Sequence, residues 1–459
     1  MSLDKIARAL LPEPLYLRLK GSPVAKRIAK GTLWSVAGTA ASRVLVLVAM
    51  ILVARALGKV SFGEFGLVQA TLGVAGLMAG LGLGSTATRF VAQFAGTDQM
   101  RAGRVIALVT QTTWIAVLLT AGVLILASAP IAAHVLDAAH LQSALVWGAL
   151  LMAANVIRGV QSGFLAGLER FDLTARLNVI EGLISLLAMV ALAHYMGVEG
   201  ALLGLAIGGL AAWFVGERAM KSELEKRDIR PLHRGCWQEW KILSGYSLPS
   251  LLANLVATPV LWLCMTLLAH QPDGYAQLGI YNAAYQWHGP MIFIPMAIMS
   301  ASLPALVQEW ESGDRERFRK VTLWVAGLTL AIAVPPVLLV GLLSPWVMSF
   351  YGAGFREGWL ALVLILAAAP LHALAKIATA SLLSMNRAWI VLKVNLLWSI
   401  SMLLLTSWLV PTNGLIGLVL SFLFAYAILA VSSLWMVLSI PRSICRNETD
   451  VAMQEVDIT

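Results

Sequence analysis

The sequence predicts an all-α integral membrane protein with twelve transmembrane helices in two six-helix lobes and both termini in the cytoplasm. Three observations predict this fold class. Only 12% of the 459 residues are charged, against about 25% in soluble domains, and the mean hydropathy is +0.81. Twelve apolar segments are long enough to cross a bilayer. The two halves of the chain also resemble each other.

The composition excludes a soluble enzyme and a nucleic-acid-binding protein. Apolar residues make up 59% of the chain, and a soluble fold of this length could not keep so much apolar surface away from water. The net charge of +9 comes from basic residues in short loops, where such residues orient membrane helices. The cysteines and histidines give neither a disulfide framework nor metal-ligand spacing. We therefore expect that the protein is not an enzyme and has no catalytic residue, metal or cofactor.

The elements follow in chain order after a basic cytoplasmic tail at residues 1–30. Residues 31–217 form a predicted N-lobe with six spans, at 31–54, 62–93, 104–129, 141–165, 173–195 and 198–217. Residues 218–241 are rich in charge and form a cytoplasmic linker. Residues 242–440 form a predicted C-lobe with six spans, at 242–270, 276–308, 320–343, 357–384, 388–410 and 414–440. Residues 441–459 form a cytoplasmic tail.

The basic residues set the orientation of these spans. With the N-terminus in the cytoplasm, 27 of the 33 lysines and arginines lie in cytoplasmic segments. The outer loops carry only Arg55, Lys59 and Arg356. Because cytoplasmic loops of membrane proteins carry an excess of Lys and Arg, both termini are predicted to be cytoplasmic. Three cations remain inside spans: Arg43, Arg158 and Lys376.

The two halves of the chain resemble each other at a constant offset of 217 positions. LAGLERFDLTARLN at 165–178 aligns with LLSMNRAWIVLKVN at 382–395, and Gly197 aligns with Gly414. Because each half has an even number of spans, both halves share one orientation. This predicts a parallel repeat about an axis along the membrane normal, with a cargo site in the cleft between lobes.

Polar residues follow one face of two corresponding spans. Span one carries Thr32, Ser35, Thr39 and Arg43, and span seven carries Ser247, Ser250, Asn254 and Thr258. Spacings of three and four place each set on one helix face. One such stripe could be a helix-packing surface, but two in matched positions favour a shared hydrated lumen. We therefore predict that Ser35, Thr39, Ser250 and Asn254 contact the cargo.

The intramembrane cations are candidate binding residues, and Arg43 is the strongest. It lies near the bilayer midplane, where an arginine facing lipid costs at least about 2.5–3.5 kcal/mol. A guanidinium suits phosphate because it offers paired donors, so Arg43 is predicted to bind an anion; the alternative is a structural hydrogen bond to neighbouring helices. Lys376 either faces a cavity or reaches the cytoplasmic side. Arg89 either guards a cytoplasmic entrance or anchors span two.

Arg158 and Glu181 lie at similar depth in spans four and five, which predicts a structural ion pair. In the second half Trp398 occupies the position of Glu181, so Lys376 lacks an equivalent acidic partner. The outer half of span eight carries further polar and aromatic residues: Asn282, Tyr285, Gln286 and His288. These suit either contact with sugars or anchoring at the membrane interface.

Four stretches carry a resemblance to a known family: GTLWSVAGTAASRVLVLVAMILVARALGKVSFGEFGL at 31–67, LGLGSTATRFVAQF at 81–94, LAGLERFDLTARLNVIEG at 165–182 and WKILSGYSLPSLLANL at 240–255. They resemble the polysaccharide-transport family of flippases, part of the multidrug/oligosaccharidyl-lipid/polysaccharide exporter superfamily. The resemblance implies a two-lobe transporter of the bacterial inner membrane that works by alternating access. It implies an undecaprenyl-pyrophosphate-linked oligosaccharide as cargo, for O-antigen of lipopolysaccharide or for exopolysaccharide, and a cationic lumen that Arg43 would match.

The implied partners are this lipid-linked oligosaccharide, membrane lipids, and the polysaccharide polymerase and glycosyltransferases of the same route, with no nucleic acid. Two other hypotheses stay open. The multidrug branch of the superfamily also has twelve spans, but its members typically use acidic residues for cation coupling, and span one here carries Arg43 and no acid. A membrane scaffold for glycan assembly that transports nothing would also have this topology.

Overall fold

The computed structural model describes residues 23–248, 251 and 257–439, with side chains described from residue 42 onward except that of residue 301. Within these residues the chain is helical with short connections and has no β-strand. Eight of the described helices are long and apolar enough to cross a membrane. The predicted class of an all-helical membrane protein is therefore confirmed.

The α-helices are labelled in chain order, and the labels count helices rather than membrane spans. They are α1 (Pro23–Gly80), α2 (Leu83–Phe94), α3 (Gln99–Leu126), α4 (Gln142–Gly167), α5 (Phe171–Lys226), α6 (Ala257–Ala269), α7 (Gly274–Tyr285), α8 (His288–Glu311), α9 (Arg315–Leu342), α10 (Ser344–Ser349), α11 (Trp359–Ser384) and α12 (Ala388–Leu438). Short helical turns lie between them, at Ser128–Pro130, Ile131–Val135, Ala139–Leu141, Cys236–Glu239, Leu243–Ser247 and Ala353–Gly358.

Three helices each run through one predicted span and most or all of the next. α1, α5 and α12 have 58, 56 and 51 residues. At about 1.5 Å per residue each is more than twice as long as the ~30 Å hydrocarbon core is thick. Each is broken at one glycine, Gly58, Gly197 or Gly414, with φ of 75°, 60° and 52°. Glycine is needed there because residues with a Cβ atom rarely adopt these angles.

The breaks in α5 and α12 turn the chain back on itself. A Cβ atom at Gly200 would collide with the carbonyl oxygen of Leu192, on the other side of the break in α5. A Cβ atom at Gly417 would collide in the same way with the carbonyl oxygen of Leu409. Each of these helices is therefore locally a close-packed hairpin, not a straight rod.

The sequence repeat is also a backbone repeat. Gly197 and Gly414 have φ and ψ of 60°, −132° and 52°, −126°. Glu169 and Asn386, which are 217 positions apart, both have a positive φ, of 58° and 57°. Each lies two residues before one of the two broken helices. The two halves of the chain thus enter and break these helices in the same conformation.

The chain divides into two compact units. Unit one consists of the described residues of 1–49, 75–127 and 144–252. Unit two consists of the described residues of 50–74, 128–143 and 253–459, so it contains two pieces from the first half of the chain. Each unit has an apolar core, including a cluster with Val105 and Phe164 in unit one and one with Phe318 and Leu382 in unit two.

Candidate functional site

Arg43 lies on α1 in unit one, and its side chain is exposed on that unit. Its neighbours Ser42 and Leu45 pack against α5, because a Cβ atom at Gly182 would lie 3.5 Å and 3.2 Å from their side chains. Val44 is exposed as well. Arg43 is therefore on a face of α1 that the core of unit one does not cover.

The remaining residues of the two polar stripes are mostly beyond structural description. Ser35 and Thr39 lie on α1 with Arg43, but their side chains are outside the described residues, and so are Ser250 and Asn254. Ser247 is described and buried, and its hydroxyl oxygen lies 2.6 Å from that of Thr86 on α2. This first residue of the second stripe is thus a packing contact within unit one.

Arg158 is a buried cation, and each of its three side-chain nitrogens donates a hydrogen bond. Its Nε donates to Glu181 Oε2 at 3.2 Å, its Nη1 to Gln161 Oε1 at 2.9 Å and its Nη2 to Asn178 Oδ1 at 3.3 Å. Gln161 in turn donates to the carbonyl oxygen of Trp213 at 3.0 Å. The structure brings Arg158 and Glu181 together and adds two amides that join α4 to α5. This arrangement stabilises packing and leaves little for a ligand to bind.

Lys376 is half-buried on α11 in unit two. It forms no ion pair with any residue that the structure describes. Trp398, which replaces the acidic partner in this half, is buried, and its Nε1 has no hydrogen-bond partner among the described residues. The ion pair of unit one therefore has no counterpart at the equivalent positions in unit two.

A buried aromatic cluster in unit two was not foreseen from the sequence. The rings of His288 and His372 stack with their centres 5.3 Å apart, and Tyr285 stacks on His288 at 5.6 Å. His288 is 3% exposed, so it packs in the interior and is not an interfacial anchor. No group of three or more His, Cys, Asp or Glu side chains in the described part of the chain is arranged to hold a metal ion.

Unit two contains a cavity of about 320 Å³ lined by aromatic rings and amides. Trp262 Nε1 donates to Thr71 Oγ1 at 2.9 Å, and Asn282 Nδ2 donates to a backbone carbonyl oxygen at 3.4 Å. Tyr285 and Gln286 also line this cavity, and Gln286 has a buried Oε1 without a described partner. Flat rings beside amide groups are the surfaces on which sugar rings can stack and form hydrogen bonds.

Arg89 lies on α2 and lines another cavity, of about 350 Å³, in unit one. Its guanidinium carbon is 4.6 Å from the ring centre of Tyr246 and 5.6 Å from that of Phe90. Arg101 and Lys241 line the same cavity. The structure thus gathers three cations in one place, of which the sequence singled out only Arg89.

A charged network joins the two ends of α5, outside the predicted spans. Arg170 pairs with Asp172 at 2.9 Å and with Glu223, and Lys226 pairs with Glu223 at 2.7 Å. Hydrogen bonds from Arg170 lower the pKa of the Asp172 and Glu223 carboxyl groups. Hydrogen bonds to these carboxylates raise the pKa of Arg170. The network therefore holds the two ends of the α5 hairpin together at neutral pH.

The fold is similar to that of solved multi-pass helical membrane proteins of the multidrug/oligosaccharidyl-lipid/polysaccharide exporter superfamily. A solved structure of the lipid II flippase MurJ in an inward closed conformation matches with a TM-score of 0.69 and 16% identity, over 89% of this chain and 88% of that one. An inward-facing multidrug resistance transporter of the superfamily matches with a TM-score of 0.68 and 16% identity, over 87% and 95%. The chain belongs to the polysaccharide biosynthesis protein family, whose profile matches residues 28–310.

Two similar proteins have names that are consistent with this family. The chain is 30% identical over 323 residues to the EPS I polysaccharide export inner membrane protein EpsE of Ralstonia solanacearum, covering 69% of this chain and 71% of that protein. It is 29% identical over 310 residues to the lipid III flippase of Escherichia coli strain K12, covering 63% and 70%. The family resemblance read from the sequence is confirmed, and the chain is a multi-pass protein of the bacterial inner membrane.

Proposed function

We propose that the chain is a flippase that moves an undecaprenyl-pyrophosphate-linked oligosaccharide across the inner membrane for the synthesis of O-antigen or exopolysaccharide. The observation that carries this proposal is the similarity to a polysaccharide export protein and a lipid III flippase over 69% and 63% of the chain. Cargo of this kind needs help because charged phosphates and sugar hydroxyls are costly to transfer into hydrocarbon. Moving it breaks no covalent bond, so the protein acts as a transporter and not as an enzyme.

We propose twelve spans, six in an N-lobe at 31–217 and six in a C-lobe at 242–440, joined by the linker at 218–241. The tails, 1–30 and 441–459, lie in the cytoplasm. Counting α1, α5 and α12 as two crossings each adds three to the eight long apolar helices, and the shorter apolar helix α6 adds one. Two lobes with six spans each suit alternating access, because one lobe can rock against the other around a central site.

We propose that Arg43 is the main anion-binding residue, with Ser35, Thr39, Ser250 and Asn254 presenting hydroxyl and amide groups to the cargo. The exposed position of Arg43 on unit one supports this role. A guanidinium can donate two parallel hydrogen bonds to a phosphate, which an ammonium group cannot. Replacing Arg43 by lysine should therefore lower transport less than replacing it by alanine, but should still lower it.

Arg89 and Lys376 are proposed as further cargo-binding cations. Neither forms an ion pair with any described residue, so their charges are available to an anion. Arg158 is assigned a structural role instead, because each of its three side-chain nitrogens donates to Glu181, Gln161 or Asn178. Glycosyltransferases that complete the lipid-linked unit on the inner side and a polymerase that consumes it on the outer side are the partners this role requires.

The test is deletion of the gene, with complementation by the wild type and by the Arg43→Ala and Arg43→Lys variants. Loss of the surface polymer together with accumulation of lipid-linked repeat units inside the cell supports the flippase. Normal polymer display in a strain without a second copy of such a gene would overturn it. Normal display with Arg43→Ala, while the deletion is defective, would remove Arg43 from the site and is the result expected of a membrane scaffold that transports nothing.

A cation-coupled multidrug exporter is the alternative within the superfamily, and the same strains test it. Such an exporter needs a carboxylate that can take up a cation, whereas Glu181 is already paired with Arg158 at 3.2 Å. If the deletion strain shows normal polymer and becomes sensitive to cationic drugs, and if Glu181→Gln reproduces this sensitivity, the alternative is correct.

A further inference from the structure

The cavity around Arg89 in unit one is built from three segments of the chain. α2 contributes Arg89 and Phe90, the start of α3 contributes Arg101, and the segment 238–246 contributes Lys241 and Tyr246. Its volume of about 350 Å³ falls within the range of about 300–1,000 Å³ that is typical of small-ligand pockets. All of its lining residues belong to unit one.

The charge in this cavity is positive and only partly neutralised. Glu239 is the one acidic residue among the side chains that line it, with 11% of its side chain exposed. Arg101 holds this carboxylate through two nitrogen atoms, each at 3.1 Å, and Arg104 approaches it at 3.3 Å. Arg89 and Lys241 form no ion pair with any residue that the structure describes, so two cations remain for an anionic ligand.

Aromatic rings hold the guanidinium groups in place. The rings of Phe94, Phe90 and Tyr246 form a continuous row, with centres 6.2 Å and 5.7 Å apart. Arg101 lies over Phe94 at 4.4 Å, and Arg89 lies over Tyr246 at 4.6 Å. A guanidinium that stacks on a ring still has its N–H donors available at the edge. The site is therefore ordered before any ligand enters.

The wall of the cavity is fixed by buried contacts between distant parts of the sequence. The hydroxyls of Thr86 and Ser247 lie 2.6 Å apart; Thr86 lies one turn before Arg89, and Ser247 is next to Tyr246. Lys241 lies directly before span seven and Arg89 near the inner end of span two, so both are at the predicted boundary between hydrocarbon and cytoplasm. This is the level at which the phosphate groups of membrane lipids lie.

We propose that this cavity binds the diphosphate group of an isoprenoid-linked lipid at the cytoplasmic face, as a docking site separate from Arg43. The inference rests on the proposed function, which supplies a diphosphate cargo. The paired N–H donors of Arg89 and the ammonium group of Lys241 match two adjacent phosphates. Anionic phospholipid headgroups share the phosphate chemistry, and competition distinguishes the two sources.

The test measures binding of radiolabelled farnesyl diphosphate to the purified full-length protein in detergent. We expect Arg89→Gln combined with Lys241→Gln to weaken binding at least about tenfold, because charge-assisted hydrogen bonds are lost. Arg89→Lys should give an intermediate loss. The matched control is Arg218→Gln, since Arg218 also stacks on a ring, Phe214, in unit one but does not line the cavity. Elution and thermal unfolding of each variant establish that it is folded.

Three results would overturn the proposal. The first is that farnesyl diphosphate does not bind the wild type. The second is that it binds the double variant and the wild type equally. The third is that phosphatidylglycerol displaces it as readily as unlabelled farnesyl diphosphate does. In the last case the cavity binds lipid phosphates in general and not the cargo. Cavity-dependent diphosphate binding in a protein whose deletion leaves polymer display intact would instead keep the site and reject the flippase, so the two failures are distinguishable.

Discussion

The clearest single-residue prediction concerns Arg158, which is 5% exposed and has acceptors at all three of its side-chain nitrogens. Replacing it by alanine leaves Glu181, Gln161 and Asn178 without their donor. Breaking a buried ion pair costs about 3–5 kcal/mol, and the partial exposure of Glu181 reduces this to about 2–3 kcal/mol. We expect a lower midpoint of thermal unfolding for purified Arg158→Ala in detergent.

The matched control for Arg158→Ala is Arg230→Ala, which removes an arginine whose side chain is 87% exposed and lies 3.7 Å from Asp228. Exposed pairs contribute about 0–1 kcal/mol, so this variant should unfold close to the wild-type temperature. Equal losses in both variants would mean that the network around Arg158 does not stabilise the packing of α4 on α5.

Whether a contact between two residues could be predicted from the sequence depends on whether both residues lie in a recognisable local pattern. Arg158 and Glu181 lie at equal depth in adjacent spans, so their pairing could be read from the sequence. Gln161 lies one turn after Arg158 and Asn178 one turn before Glu181, so their spacing gave the same indication, but they were not predicted to join the pair. The stacking of His288 on His372 had no such signal, because α8 and α11 are far apart in the chain and nothing in either helix indicates its neighbour.

At the scale of elements, replacing the repeat-related glycines Gly197 and Gly414 by alanine should lower the stability of the protein by different amounts. Both positions have a φ that costs about 1–3 kcal/mol for a residue with a Cβ atom. At Gly197 nothing lies within 4 Å of an added Cβ atom, whereas at Gly414 it would overlap Gln277 Oε1. That oxygen accepts a hydrogen bond from the Leu415 amide at 2.6 Å. Gly414→Ala should therefore destabilise more than Gly197→Ala.

Thermal unfolding of the two glycine variants checks this order, with Gly327→Ala as the control. Gly327 lies inside α9 with open space around an added Cβ atom, and alanine is the better helix former by about 1 kcal/mol. We expect this control to be neutral or stabilising. A larger loss at Gly197 than at Gly414 would contradict the role assigned to Gln277.

The network at the ends of α5 predicts a dependence on pH. The pKa values of Asp172 and Glu223 are lower in the folded protein than in the unfolded chain. Their contribution to stability is therefore complete above the usual carboxyl pKa range and is lost as the pH falls through the lowered folded values. Glu223→Gln should lower the unfolding midpoint at pH 7, and its difference from the wild type should shrink toward pH 4.

The exposed neighbour Glu225 provides the control for this pH experiment. Glu225→Gln removes the same charge from the same turn of α5 without touching the network, so its effect should stay within about 0.5 kcal/mol at both pH values. A difference between Glu223→Gln and the wild type that is the same at pH 7 and pH 4 would show that Glu223 does not act through its charge.

The apolar pattern located the helices well but not their continuity. It placed gaps between spans at residues 55–61, 196–197 and 411–413, where the structure has three long helices, each interrupted at a single glycine in or directly after the gap. Hydropathy reports only which residues are apolar, so it cannot tell a loop from a helix that reverses at one residue. Gly197 and Gly414 are separated by the same offset as the sequence repeat, which indicated that the second and third gaps have the same structure.

At the scale of the whole molecule, the sequence could predict the class and the repeat, because these depend on composition and periodicity summed over many residues. The family could be predicted because four stretches of the chain resemble it. It could not predict that residues 50–74 and 128–143 pack in unit two. Contacts between distant segments depend on side-chain fit, which a single sequence does not display. The cavity around Arg89 could not be predicted for the same reason, since α2, α3 and the segment 238–246 are brought together only by folding.

The last prediction is the topology, and α5 decides it. Because α5 is a hairpin, its two ends are predicted to lie on the same side of the membrane; the ends of one long crossing would lie on opposite sides. The excess of Lys and Arg near both ends predicts that they lie in the cytoplasm, and the close approach of Gly200 to Leu192 makes α5 a hairpin. In a full-length variant without Cys236, Cys264 and Cys445, a membrane-impermeant maleimide should label Tyr195→Cys in spheroplasts, since Tyr195 is 83% exposed. Phe171→Cys and Arg230→Cys should be labelled only after the membrane is opened. Labelling of one of these two in intact spheroplasts would contradict the hairpin and, with it, the count of twelve spans.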